Sequence, residues 1–236
     1  MKKKNLRIII ILVIIAILAA IFFIYVGTYS PAVPPAPEIA QTMVNVDGNL
    51  YLYADSDTGI IIYPGGKVDE QAYAPLAQTL YEGGYTVAIV KMPFHLSIFD
   101  SNKAVEIIEQ NPQIKYWVIV GHSLGGTSAS IFAHDYPENL SGIVFLGSYP
   151  YKDLSGLDLW ALDISGSNDL VLDREKAAEY TAYYPTHSSH EVIVGGNHAG
   201  FGCYGVQSGD GQAKIAWEAQ VEATAQLILD AMTTSQ

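Results

Sequence analysis

The chain has 236 residues, half of them apolar and 15% charged, with 24 acids against 12 bases and a formal net charge of -12. That length holds one domain, or two, with ample material for a core, and the composition is too apolar for a disordered chain. The acidic balance argues against nucleic acid as a partner, which needs a basic footprint, and a single cysteine, Cys203, excludes a disulfide framework.

Charge is unevenly placed. Residues 1–26 carry Lys2, Lys3, Lys4 and Arg7 and no acid, leaving 8 bases against 24 acids in the remainder. Behind the basic tail (1–7), residues 8–26 run without a charge, almost all Ile, Leu, Val, Ala or Phe. As a helix this segment is about 28 Å long, the hydrocarbon thickness of a bilayer, and the preceding cations hold the N-terminus on the cytoplasmic side. The reading is a single-pass membrane anchor with the acidic body outside the cell. The rival is a secretory signal peptide, and a secreted protein after its cleavage. Its apolar region is usually shorter and ends at an A-x-A-like site, which Thr28-Tyr29-Ser30 matches poorly. Residues 27–42 follow as a proline-rich linker, expected as an extended polyproline stalk through Pro31, Pro34, Pro35 and Pro37.

The folded body is expected over 43–236. Alternation around Asp47-Gly48 predicts an opening antiparallel hairpin. Short apolar strands are predicted at 59–63, 85–90, 116–120, 143–146, 162–165 and 192–194. Helical patterns lie between them around 73–81, 104–108, 124–134 and 174–183, with a last helix at 213–232 whose face is Trp217, Val221, Thr224 and Ile228. Apolar strands separated by helices imply a mostly parallel sheet covered on both faces, with its chemistry at the carboxyl ends of the strands.

Three strand ends carry candidate catalytic groups. Gly121-His122-Ser123-Leu124-Gly125 is G-x-S-x-G between a strand and a helix, the setting that holds a serine hydroxyl clear of the backbone. A hydroxyl needs a base, and the base an orienting acid; in hydrolases of this architecture the chain order is serine, acid, histidine. Asp169 stands just past a strand in Gly166-Ser167-Asn168-Asp169, whereas Asp163 lies inside the strand and Asp173 suits a helix cap. His198 follows the last strand in Gly195-Gly196-Asn197-His198. Of the other histidines, His122 adjoins the serine and is expected to point elsewhere, His95 and His134 precede the acid, and His187 and His190 precede that strand. Oxyanion donors are expected from the backbone N–H of Leu124 and from that of Gly66 or Lys67 in Tyr63-Pro64-Gly65-Gly66-Lys67. Lys67 could also place a cation over the pocket.

These motifs, with Lys91-Met92-Pro93 and Gly196-Asn197-His198-Ala199-Gly200-Phe201-Gly202, resemble the α/β-hydrolase superfamily over about 58–232, and within it the compact dienelactone-hydrolase-like branch. The resemblance implies the α/β-hydrolase fold with Ser123 as nucleophile, Asp169 as acid and His198 as base. Dienelactone hydrolases themselves use cysteine where this chain has Ser123. The stretch 147–160 is too short for a cap domain, so an open site edged by Phe94, Tyr149, Tyr151 and Phe201 is expected, suited to small or surface-tethered acyl substrates. No cofactor or metal is implied, since Asp210 alone is too little for a calcium loop. The expected activity is a membrane-anchored serine hydrolase acting on carboxylic esters. An acyltransferase, thioesterase or peptidase on the same triad, and a catalytically silent binding module, are alternatives. Sequence leaves the oligomeric state open.

Overall fold

The computed structural model describes residues 3–234; residues 1, 2, 235 and 236, at the ends of the expected tail and body, lie outside it. Helix α1 (Lys3–Gly27) carries no charge from Ile8 onward, and its span Arg7–Gly27 is long and apolar enough to cross a membrane. A short helix α2 (Ala36–Ala40) and the hairpin β1 (Val44–Val46) and β2 (Asn49–Leu52) follow. The hairpin turns through Asp47 and Gly48, both with positive φ (52° and 89°), the conformation that an Asp-Gly pair tolerates.

The rest alternates β3 (Thr58–Tyr63), α3 (Ala74–Glu82), β4 (Thr86–Ile89), α4 (Ala104–Gln110), β5 (Tyr116–His122), α5 (Leu124–Asp135), β6 (Gly142–Leu146), β7 (Trp160–Gly166), α6 (Arg174–Glu179), β8 (His187–Ile193) and α7 (Trp217–Thr234). One eight-stranded sheet has the order β1-β2-β4-β3-β5-β6-β7-β8, parallel from β4 onward and antiparallel at β1 and β2. Both faces are covered, which explains the unbroken apolar runs. Ile60, Ile62, Val118, Val120, Val144 and Leu146 point into a core completed by α3 and α7. Ile61, Tyr63, Trp117, Ile119, Ile143 and Phe145 point into a second core completed by α4 and α5.

Two expectations are corrected here. The last strand is not 192–194 but β8, and His187 and His190 lie within it. It is a sheet edge with six of its seven residues exposed, so it carries the polar sequence His187-Ser188-Ser189-His190-Glu191 and no apolar run to read. The proline-rich linker is not a free polyproline stalk. Ser30 bridges Val68, Val33 N–H donates to the Cys203 carbonyl at 2.9 Å, and Ala36 and Ala40 of α2 are buried. The prolines open a helix and a docked turn because the adjoining alanines are small enough to pack against the body. Smaller differences are of boundary: the helix expected over 174–183 is α6 followed by a 3-10 turn at Thr181–Tyr183.

Candidate active site

Ser123 stands between β5 and α5 with φ 51° and ψ -119°, a strained conformation for a residue with a side chain. The turn is held by Ser123 N–H donating to the Leu146 carbonyl (3.0 Å) and by Ser148 Oγ donating to the Ser123 carbonyl (2.8 Å). It also demands the glycines of the motif. A Cβ on Gly121 would sit 2.4 Å from Gly126 Cα, and one on Gly125 would sit 2.2 Å from the Tyr63 carbonyl oxygen.

Asp169 and His198 come together as expected at the carboxyl ends of β7 and β8. His198 Nδ1 lies 2.8 Å from Asp169 Oδ2, and both side chains are buried. Asp169 Oδ1 accepts the N–H groups of Val171 and Leu172 at 2.9 and 2.8 Å. Burial opposes ionisation of this carboxyl, but the His198 hydrogen bond and charge and the two backbone donors outweigh it and hold it below the ordinary carboxylate range. An ionised Asp169 accepts a hydrogen bond from Nδ1–H, which leaves the lone pair on Nε2. That nitrogen is buried and has no hydrogen-bond partner, Ser123 included. The ring lies 4.7 Å from that of His122, the residue before the serine.

His122 therefore does not point away from the site. Its Nδ1 is 2.7 Å from the Tyr73 hydroxyl, which itself accepts the N–H of Gly65 at 2.8 Å. The Tyr73 hydroxyl thus links His122 to the backbone of the loop after β3. Burial first, and the neighbouring His198 second, hold His122 well below the usual imidazole value, so it stays neutral. Tyr73 and His122 fix the loop after β3 from beneath.

That loop separates the two donor candidates. Lys67 N–H is taken by the His95 carbonyl at 2.6 Å, whereas Gly66 N–H has no hydrogen bond within the described residues and lies against Leu124. The N–H of Leu124, at the first position of α5, is likewise free of the helix ladder. The Lys67 ammonium does not overhang the pocket: it donates to Thr28 Oγ1 (2.8 Å) and lies 4.2 Å from the Tyr25 ring centroid at the end of α1.

The expected aromatic rim is also revised. Phe201 is fully buried and packs on His122, with ring centroids 5.6 Å apart. Tyr149 stacks on Tyr180, Tyr151 is exposed, and Phe94 packs edge-on against Phe22 of α1. Between β6 and β7 the chain forms no helix, in keeping with the absence of a cap.

Three contributors have no local signal. Gly147, with φ 50°, covers the acid–base pair so closely that a Cβ there would be 2.9 Å from His198 Nδ1 and 3.0 Å from Asp169 Oδ2; only its place after β6 hinted at it. Asp210, considered above as a calcium ligand, accepts the backbone N–H groups of His198 (3.3 Å), Ala199 (2.8 Å) and Gly211 (2.7 Å). Gln220 of α7, fully buried, brackets Asn197 by accepting its N–H and donating to its carbonyl. Asp163 pairs instead with His190, and Asp173 caps α6 by accepting Lys176 N–H.

Comparison with known proteins agrees with this fold. A "Serine hydrolase-like protein" of Danio rerio is 32% identical over 79 residues, 34% of this chain; the matched stretch is 22% of that relative's length. An alpha/beta hydrolase enzyme from the metagenome of lagoon sediments at Mar Chica, Morocco, superposes with a TM-score of 0.63 at 18% identity, covering 81% of this chain and 98% of the other. A thermophilic esterase from Thermogutta terrifontis gives 0.61 at 12% identity (82% and 97% covered), and a dienelactone hydrolase from Anabaena variabilis gives 0.54 at 20% (77% and 88%). Residues 59–222, well over half of the sequence, match the model of the alpha/beta hydrolase family, and with the sheet order and the serine turn between β5 and α5 this shows that the chain belongs to that family.

Proposed function

We propose that the protein is a membrane-anchored, extracytoplasmic serine hydrolase that cleaves carboxylic esters through an acyl-enzyme on Ser123. The observation that carries this reading is the unpartnered, buried Nε2 of His198, made an acceptor by Asp169 and set beside a strained serine turn flanked by two free backbone N–H groups. His198 takes the Ser123 hydroxyl proton as Oγ attacks the ester carbonyl. The N–H groups of Leu124 and Gly66 receive the oxyanion, and His198 returns the proton to the departing alcohol. Water, deprotonated by the same nitrogen, then releases the acid. Asp169 holds the tautomer throughout.

The cations ahead of α1 support a cytoplasmic N-terminus, and contacts of its end and the residues just after it with the body support its retention as an anchor. Val26 is buried, Tyr25 carries the Lys67 ammonium, and Tyr29 stacks on His95 at 4.1 Å. A segment destined for removal has no need of a fitted seat.

An alkyl fluorophosphonate probe tests the chemistry. One adduct located on Ser123 and absent from Ser123→Ala is expected, together with hydrolysis of p-nitrophenyl butyrate. A folded wild-type protein that neither labels nor turns over would leave the silent binding module as the better reading.

A further inference from the structure

Among the described residues, five other than glycine have positive φ: Asp47 in the hairpin, Ser123, and Lys67, Phe94 and His95. A bulky residue such as Phe94 in this conformation is an outlier, held only where surrounding contacts over-determine it. The last three meet on one seam, where Lys67 N–H donates to the His95 carbonyl, joining the loop that carries Gly66 to the segment 93–99. That segment is also tied to the serine helix, since Ser97 Oγ donates to the Leu124 carbonyl at 3.1 Å and accepts Ser128 Oγ at 2.8 Å.

The outer side of the same segment is apolar. Phe94, Ile98 and Phe99 are each about half exposed, at 47%, 53% and 50%. Phe94 and Phe99 contact each other edge-on (5.7 Å), and both meet Phe22 of α1 (5.8 and 6.3 Å). The position of Phe22 sets their depth. It lies five residues before the end of the span Arg7–Gly27, about 7 Å inside a bilayer crossed by that helix. Rings touching Phe22 lie at the same level, in the acyl region of the outer leaflet. Tyr29 and His95, stacked just above, fall at the headgroup level, where amphipathic rings sit.

We propose that residues 93–99 form a membrane-inserted wedge that opens the Ser123 site onto the outer leaflet, and that the substrate is an acyl ester of the bilayer, drawn in laterally past Ile98 and Phe99. The occupant of the exposed apolar face is lipid, because that face is continuous with the lipid-facing surface of α1. This deepens the function proposed above and rests on its anchor and its serine chemistry. A soluble ester reaches the same site from water, so the wedge discriminates by where the substrate resides.

The full chain in phosphatidylcholine vesicles tests both halves. Tryptophan introduced by Ile98→Trp is expected to lose more than half of its added emission to phosphatidylcholine brominated near the middle of its chains, with the unsubstituted protein as background. Added emission that brominated lipid leaves unchanged would overturn the wedge. For access, p-nitrophenyl palmitate dissolved in the vesicles is compared with aqueous p-nitrophenyl butyrate. Ile98→Asp combined with Phe99→Asp is expected to lower the palmitate-to-butyrate rate ratio at least tenfold while the butyrate rate stays within twofold. An unchanged ratio overturns lateral access, and Ile98→Asp alone repeats the comparison if the double variant loses its butyrate rate. Wild-type protein inactive on both esters would sink the serine chemistry and lipid cleavage with it, whereas the quenching decides the wedge independently.

Discussion

Among the described residues three aspartate–histidine pairs form: one joins the sequence neighbours His134 and Asp135 on the surface, and the other two link strand β7 or the loop after it to strand β8 or the loop after it, Asp169–His198 at 2.8 Å and Asp163–His190 at 3.1 Å. Their surroundings differ. Asp169 and His198 stand on loops past the strand ends, with side chains at most 1% exposed, and two backbone N–H groups support the carboxylate. Asp163 and His190 lie within adjacent strands, and the imidazole is 48% exposed. For Asp169 the favourable contacts overcome burial and the acid is strengthened. For Asp163 burial prevails over His190 and the acid is weakened, with one oxygen buried and unpartnered. A carboxylate–imidazole contact is thus no marker of catalysis by itself. Position at a strand end, backbone support for the anion and a fully buried imidazole set apart the pair proposed as catalytic.

The sharpest break of the comparison is at the serine served by only one pair. Ser123→Gly is expected to lower ester turnover by at least about 10³-fold while raising stability by about 1 kcal/mol, because glycine accepts the positive φ that serine resists. Denaturant unfolding beside the activity assay checks both, and a less stable variant would deny strain at the turn. Next, Asp169→Asn should cost about 10³- to 10⁴-fold in kcat by favouring the wrong tautomer, whereas Asp163→Asn should stay within about threefold. Equal losses in the two variants would erase the distinction.

Two smaller effects sharpen it. Asp210→Ala frees the backbone of the His198 loop and is expected to cost about tenfold in kcat and about 1–3 kcal/mol of stability; Asp153→Ala, on the exposed surface, serves as control. The last concerns pH. Below about 6.5 the unfolded chain protonates the histidine at 122 while the native state refuses the proton, so stability falls with falling pH by about 1.4 kcal/mol per unit. Above that window His122 contributes no slope. Asp169 behaves as a depressed carboxyl: its contribution is present above the ordinary aspartate range and is lost as pH falls through its lowered native value. Guanidinium midpoints at pH 7 and pH 5 for wild type and His122→Gln should show the shallower acid loss in the variant.

What could be read in the sequence follows the same division between local and distant causes. The central strands declared themselves because both faces are buried, and the serine turn because its glycines answer to steric limits within a few residues. The placement of Asp169 and His198 followed from counting strand ends. β8 escaped because an exposed edge needs no apolar run. Lys67 could be told from Gly66 only once the chain had brought His95 to it, and the roles of Tyr73, Gly147 and Asp210 arise from contacts across the fold. The proline-rich linker misled because composition describes how a segment behaves alone, whereas this one has Cys203 and Val68 to lean on.

That docked linker also bears on how the body could leave α1, the anchor proposed above. A protease threads several residues of open, extended backbone through its cleft, and exposed loop tips are where nicking concentrates. Between α1 and β1 much of the chain is instead engaged, through Ser30 with Lys67 and Asp69, Val33 with Cys203, and the buried alanines of α2. Shedding by a surface protease would first require this seam to peel away, uncovering Val68 and Cys203, which are now buried. With α1 as the proposed anchor, the expected outcome is a protein that resists conversion to a soluble form and ages in place, its lifetime tied to that of the patch of membrane holding it.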